Sequence, residues 1–171
     1  MATIINFEDF ANGDMQITQD SITRSNFNDG WLDFEKEKSS IYLMMGQTLG
    51  QSFIDDLSGN PLIPVTQKWK DVFTEFNTVV NDCPVYCVGV KGILKMIKYF
   101  DYTSNQTSQN TQNGNQSLRQ EASEPQLVTK STIFYNRSVQ EIRKLHIVLN
   151  NDPNQYPNLK MYEFQTITDF I

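Results

Sequence analysis

Apolar residues recur along this chain in several separate patterns. The clearest covers residues 67–80, where Trp69, Val72, Phe73, Phe76, Val79 and Val80 fall at i, i+3, i+4, i+7, i+10 and i+11. That spacing draws one stripe on a 3.6-residue period and predicts a helix, with Thr66 as its cap and Asn81-Asp82 breaking it. Phe34, Ile41, Tyr42 and Met45 predict an earlier helix beginning near Trp31, capped by Asn28 or Asp29 and closed by Gly46 at the C′ position. Leu49, Phe53 and Leu57, at i, i+4 and i+8, predict a short helix over 48–57. Pro84 suits the first turn of a helix over 84–102, which carries Val88, Leu94, Ile97 and Phe100 on one side and Lys91, Lys95 and Lys98 on another. Gly89 and Gly92 either weaken that helix, by roughly 1 kcal/mol each relative to Ala, or admit a neighbouring backbone. A last helix over 129–150 buries Ile133, Val139, Ile142, Leu145 and Leu149, wets Arg137, Glu141 and Lys144, and stops at Asn150-Asn151-Asp152-Pro153.

The segments between these patterns are polar or irregular. Residues 1–29 carry Phe7 and Phe10 as isolated apolar points, and Met15, Ile17 and Ile22 suit a short extended piece. All fifteen residues of 103–117 are Asn, Gln, Ser, Thr or Gly, and polar character persists to Pro125. Such a stretch cannot fill a core, so 103–125 reads as a long exposed loop or loose hairpin. The tail from Tyr156 is aromatic and ends on Phe170-Ile171, which suggests a surface for it to dock on, in its own subunit or another. Together these predict a mainly α fold of four to five helices, bundle-like, in one domain over 1–158, with a C-terminal arm at 159–171. No βαβ alternation supports a Rossmann-like sheet.

Charge narrows the functional classes. The chain has 171 residues with 20 acids and 14 bases, a formal net charge of −6. Residues 1–60 hold ten acids and three bases, whereas 61–171 hold ten acids and eleven bases. Neither part offers the basic footprint of a nonspecific DNA binder. Much of the polarity comes instead from 16 Asn and 14 Gln, which build loops and interfaces without the cost of burying ions. Neither a secretory leader nor a run of ~18 apolar residues for a membrane helix is apparent, so a soluble protein folding in a reducing cytoplasm is expected.

Candidate chemistry is sparse. His146 is the single histidine and reads as a surface or boundary residue. Cys83 and Cys87 read as free core thiols, because a disulfide within one helical turn is geometrically poor and a metal site needs about four ligands. The pairs Glu8-Asp9 and Asp55-Asp56 are adjacent, so on a helix they diverge. Phosphate-loop, nucleophile-elbow, zinc-protease and EF-hand patterns do not occur. Lys91, Lys95 and Lys98 form the one local basic stripe, either a solvated face or a contact to DNA phosphate or an acidic neighbour. An enzyme lacks support, a small hydrolase or nuclease being the weakest alternative. No cofactor or metal is expected.

Four segments in order carry a resemblance. The first is Phe34-Glu-Lys-Glu-Lys-Ser-Ser-Ile-Tyr-Leu-Met-Met-Gly46, and the second is Leu49-Gly50-x-x-Phe53-Ile54-Asp55-Asp56-Leu57. The third begins near Gly89, ends in Lys98-Tyr-Phe-Asp-Tyr102, and runs into the Thr/Asn/Gln/Gly-rich excursion. The fourth is the long helix followed by Asn-Asp-Pro and Tyr156-Pro157. Over about residues 12–158 the chain resembles the small head–tail connector (adaptor, or neck ring) proteins of tailed bacteriophages, especially those of Bacteroidetes-infecting, crAss-like phages. The resemblance implies a virion protein without catalytic residues. It implies a homo-oligomeric ring, commonly dodecameric, under the portal protein in the phage neck, assembled in the host cytoplasm. Such a ring extends the channel for double-stranded DNA and docks the next neck or tail protein. It also implies that long loops and terminal arms reach between subunits, which makes Asn105, Gln109, Asn113, Gln116, Tyr162, Phe164, Ile167, Phe170 and Ile171 interface candidates. The alternative is an interaction protein absent from mature particles, such as an assembly chaperone or regulator.

Overall fold

A computed structural model describes residues 2–112 and 117–162, with side chains described outside 106–129. It is mainly helical. The order is a 3-10 turn (Phe7–Phe10), α1 (Ser21–Gly30), α2 (Phe34–Met45), α3 (Gln47–Asp55), β1 (Leu57–Ser58), β2 (Ile63–Pro64), α4 (Gln67–Phe73), β3 (Phe76–Val80), β4 (Cys83–Cys87), α5 (Gly89–Gln112) and α6 (Ser117–Asn151). The strands form two separate antiparallel ribbons, β1–β2 and β3–β4.

The first thirty residues are more ordered than their composition predicts. Asp20 accepts the Thr23 N–H at 2.7 Å and caps α1, where Ile22 is exposed rather than part of an extended piece. Phe7 and Phe10 are fully buried, each 5.4 Å from the Phe27 ring, and Phe27 meets Tyr102 of α5 at 5.6 Å. Scattered aromatics thus gather into one cluster. Burying each contributes roughly 1.5–3 kcal/mol, which offsets the ordering of an otherwise polar segment. The cap of α2 is Asp33, accepting from Glu35 N at 2.9 Å; Asn28 and Asp29 already lie inside α1. Gly46 ends α2 as predicted, but as its C-cap at φ +87 and ψ 164, an extended positive-φ conformation rather than the left-handed helical one of a C′ glycine.

The predicted helix over 67–80 is only half a helix. Trp69, Val72 and Phe73 occupy the buried side of α4, but Phe76–Val80 is strand, and Val79 is exposed. Phe76, Thr78 and Val80 turn inward while Asn77 and Val79 turn outward, a period of two. The sequence Thr78-Val79-Val80 favours a strand. Asn81 (φ 51) and Asp82 (φ 64) form the two-residue loop between Val80 and its partner Cys83, the mark of a type I′ hairpin turn. The helix predicted from Pro84 likewise begins only at Gly89. Pro84 sits opposite Val79. Pairs alternate from the hydrogen-bonded Val80–Cys83 pair at the turn, so Pro84 falls where its missing N–H would point out of the ribbon.

Cys87 is a buried free thiol as expected, but Cys83 at the hairpin turn is exposed. Burial pushes the Cys87 thiol up to about 11. A thiol-specific reagent is therefore expected to modify one cysteine per native chain, Cys83, and two in denaturant. Rapid double labelling of the native protein would contradict this placement.

α5 and α6 pack antiparallel: Cys87 approaches Glu141, Tyr99 meets Phe134 at 5.1 Å, and Thr103 bonds to Ser131. The helices run to Gln112 and from Ser117, so much of the polar stretch predicted as loop is helical backbone. Thr103 itself is buried, its hydroxyl donating to the Tyr99 carbonyl at 2.8 Å. On α6, Val139, Ile142, Leu145 and Leu149 are buried as predicted, whereas Ile133 is exposed. Glu141, expected on the wet side, is buried: it accepts from Val88 N at 3.2 Å beside the start of α5 and from Lys144 Nζ at 2.9 Å. A carboxylate there complements the helix N-terminus.

Candidate interaction surfaces

The lysine row of α5 does not form a basic stripe. Lys91 pairs with Asp9 at 3.4 Å, and the Lys95 ammonium lies 5.7 Å from the Phe10 ring centre. Lys98 is buried, and its ammonium donates to the Trp31 carbonyl, so it is not available to a phosphate. All three lysines hold the N-terminal third onto α5. Desolvation lowers the Lys98 pKa, and the nearby Glu37 charge opposes that shift.

Glu37 is the other half of this clamp, and its local sequence gives no hint of burial. Its two carboxylate oxygens accept the N–H groups of Ile4 at 2.9 Å and Ile5 at 2.8 Å. Burial raises its pKa, against the pull of those two hydrogen bonds and of Lys98. Ile4 and Ile5 are themselves fully buried, so the carboxylate fixes an apolar chain segment through its backbone.

His146 is buried rather than at the surface, and its Nε2–H donates to the Met44 carbonyl at the end of α2. Burial lowers its pKa, outweighing that hydrogen bond. The folded state therefore binds fewer protons than the unfolded state between the depressed pKa and the ordinary value of about 6.5. Stability is fully present above that ordinary value and falls as pH drops through the window. A His146→Gln variant is expected to lack this slope, which sets in as pH falls below about 6.5. Parallel urea-midpoint profiles for the two proteins would rule the assignment out.

The C-terminal segment closes over the core, and the first residues of the predicted arm, Leu159 and Lys160, take part in that contact. Tyr156 is buried against Trp69 at 5.3 Å and donates to the Lys68 carbonyl at 2.6 Å. Burial, helped by Asp71 and Asp152, pushes its phenol up to about 12. Lys160 N donates to the Met45 carbonyl at 3.2 Å, beside Gly46.

Of the predicted interface residues, Asn105 is exposed, with its amide donating to the Asp101 carbonyl at 2.9 Å. Gln109 lies within α5, with its side chain outside the described set. Tyr162 is exposed, with the Lys160 ammonium 5.2 Å from its ring centre. Asn113, Gln116, Phe164, Ile167, Phe170 and Ile171 lie outside the described residues.

Two concave surfaces were not anticipated. An apolar groove of about 170 Å³ lies between α2, α5 and α6, lined by Ser40, Leu43, Ile97, Tyr135, Ser138, Val139 and Ile142. Leu43 is 52% exposed there, despite following the stripe residues Ile41 and Tyr42. A larger polar cleft of about 420 Å³ runs between β3 and the end of α6, with Asp71, Asp152 and Tyr156 on the wall opposite the strand. Its sequence signal was Asn81-Asp82 after the β-branched run Thr78-Val79-Val80, a hairpin mark masked by the helical spacing of the apolar residues before it. Among the described residues, no group of three or more His, Cys, Asp or Glu is placed to hold a metal ion, and no helix is long and apolar enough to cross a membrane. No protein-family model, curated protein or solved structure matches the chain.

Proposed function

We propose that this chain is a structural virion protein, a subunit of a homo-oligomeric ring in the neck of a tailed phage. In that role it links the portal to the tail and continues the DNA channel. The observation that carries the reading is that the four segments behind the resemblance interlock in one core. The first meets the third through Glu37 and Lys98, and meets the fourth where His146 donates to the Met44 carbonyl. The second meets the fourth through Trp69, with Phe53 at 5.2 Å on one side and Tyr156 at 5.3 Å on the other. Segments read separately along the chain thus pack together as one unit.

The charge distribution supports the same reading. A ring around DNA must let the duplex pass without holding it, and an acidic, amide-rich surface does so where a basic groove would not. Lys98 is buried and Lys91 pairs with Asp9, so the α5 lysines do not build a basic groove on that surface. Ring closure follows when a heterologous contact repeats through a rotation that closes. Native mass spectrometry and electron microscopy of the full chain, alone and with its portal, test the proposal. A closed oligomer of fixed stoichiometry is expected; a permanent monomer in both preparations overturns it. Protein present in infected cells but missing from purified virions would replace it with the chaperone reading.

A further inference from the structure

The geometry points to the free edge of β3 as a docking site for an extended, basic peptide segment of a partner protein, which would add to the β3–β4 ribbon as a third strand. The cleft beside it is lined by all five consecutive residues from Phe76 to Val80. Successive strand side chains face opposite ways, so a surface that touches all five is the strand's backbone edge rather than either face. The turn sets which groups that edge presents. With Val80–Cys83 the hydrogen-bonded pair, Phe76, Thr78 and Val80 direct their N–H and C=O to β4, and Asn77 and Val79 direct theirs into the cleft. Those outward groups have no hydrogen-bond partner among the described residues.

The ribbon's two edges differ in a way that selects this one. Pro84 removes an outward N–H from β4, a common block on strand addition. β3 carries neither proline nor charge between Phe76 and Val80, and Val79 at its centre is 64% exposed. The opposite wall of the cleft decides the occupant. It bears Asp71 and Asp152, and no lysine or arginine lines the cleft. An incoming strand with lysine or arginine on its cleft-facing side complements these carboxylates. The chain's own last nine residues, with Glu163 and Asp169 and no base, do not. Main-chain pairing supplies affinity in this mode, and the flanking charges supply selectivity. The inference does not depend on the ring proposal.

The test uses the full chain and three synthetic ten-residue peptides: alternating Val and Thr with two lysines, the same with two glutamates, and the lysine peptide N-methylated at alternate backbone amides. Amide exchange and fluorescence anisotropy are read at low salt. The lysine peptide is expected to bind and to slow exchange at Asn77 and Val79. N-methylation should abolish binding, because it removes the donors while keeping every side chain. Asp71→Asn with Asp152→Asn should weaken binding about tenfold. Equal binding of the lysine and glutamate peptides overturns the proposal, as does equal binding of the N-methylated peptide. Protection at Asn77 and Val79 that rises with protein concentration alone also overturns it, in favour of a second copy as the occupant.

Discussion

Replacing Gly89 by alanine is expected to cost about 3 kcal/mol or more, a large share of the roughly 5–15 kcal/mol that holds an ordinary domain folded. Two effects add at this position. Gly89 has φ +80, a conformation that L side chains rarely adopt. A Cβ there would also lie 2.3 Å from the Thr74 carbonyl oxygen and 2.6 Å from that of Phe73, both backbone atoms that cannot swing aside. Gly13 separates the two effects. It has φ +88 but nothing within 4 Å of a built Cβ, so Gly13→Ala carries only the conformational cost, about 1–2 kcal/mol. Urea denaturation of both variants checks the pair. Equal, small losses would show that the close approach of α5 to the end of α4 is not what the sequence depends on.

Glu37→Ala is expected to cost about 2–4 kcal/mol, because two buried N–H groups lose their charged acceptor. The substitution leaves the N–H groups of Ile4 and Ile5 without acceptors and removes the strongest of the acidic charges, Glu37, Asp101 and Asp33, that favour the Lys98 ammonium. Glu37→Gln should fall between wild type and alanine, because an amide offers one acceptor oxygen where the carboxylate offers two. Hydrogen exchange distinguishes local from global loss. Amides 4 and 5 should lose protection before those of α6. Amides that stay fully protected in Glu37→Ala would mean the N-terminal segment is held by its apolar contacts alone. In that case Ile4, Ile5, Phe7 and Phe10 would account for the whole attachment.

Both sites also show why the candidate surfaces were only partly legible. The amide-rich excursion and the apolar tail announced themselves by composition, and several of their residues lie outside the described structure. The β3 edge announced itself by two residues, Asn81 and Asp82, whose turn chemistry competed with a six-residue helical stripe. The stripe was genuine only as far as Phe73. Val79 and Val80 fit its spacing by position yet pair across a hairpin with Pro84 and Cys83. The lysine row was visible as charge, but its destination was not. Lys98 reaches the Trp31 carbonyl across 67 residues of sequence.

What the sequence determined by itself was the set of elements whose signals are local. α2 ending at Gly46, α3 with Leu49 and Phe53, the start of α4 and the buried face of α6 from Val139 to Leu149 were all readable. Caps, glycine conformations and i, i+4 spacing act within one or two turns, so a single window contains the information. The tertiary structure alone decided the fate of polar and ambiguous residues. It made Glu37, Lys98, Glu141 and His146 interior groups, and it turned the second half of one apolar stripe into a strand. A buried charge is tolerated only where a distant partner meets it, and a β-branched run becomes strand only where another strand pairs with it. The partners of Glu37, Glu141 and His146 lie tens of residues away, beyond any local period, whereas β3 pairs with the very next strand through the turn at Asn81-Asp82, a signal the apolar spacing of 67–80 masks.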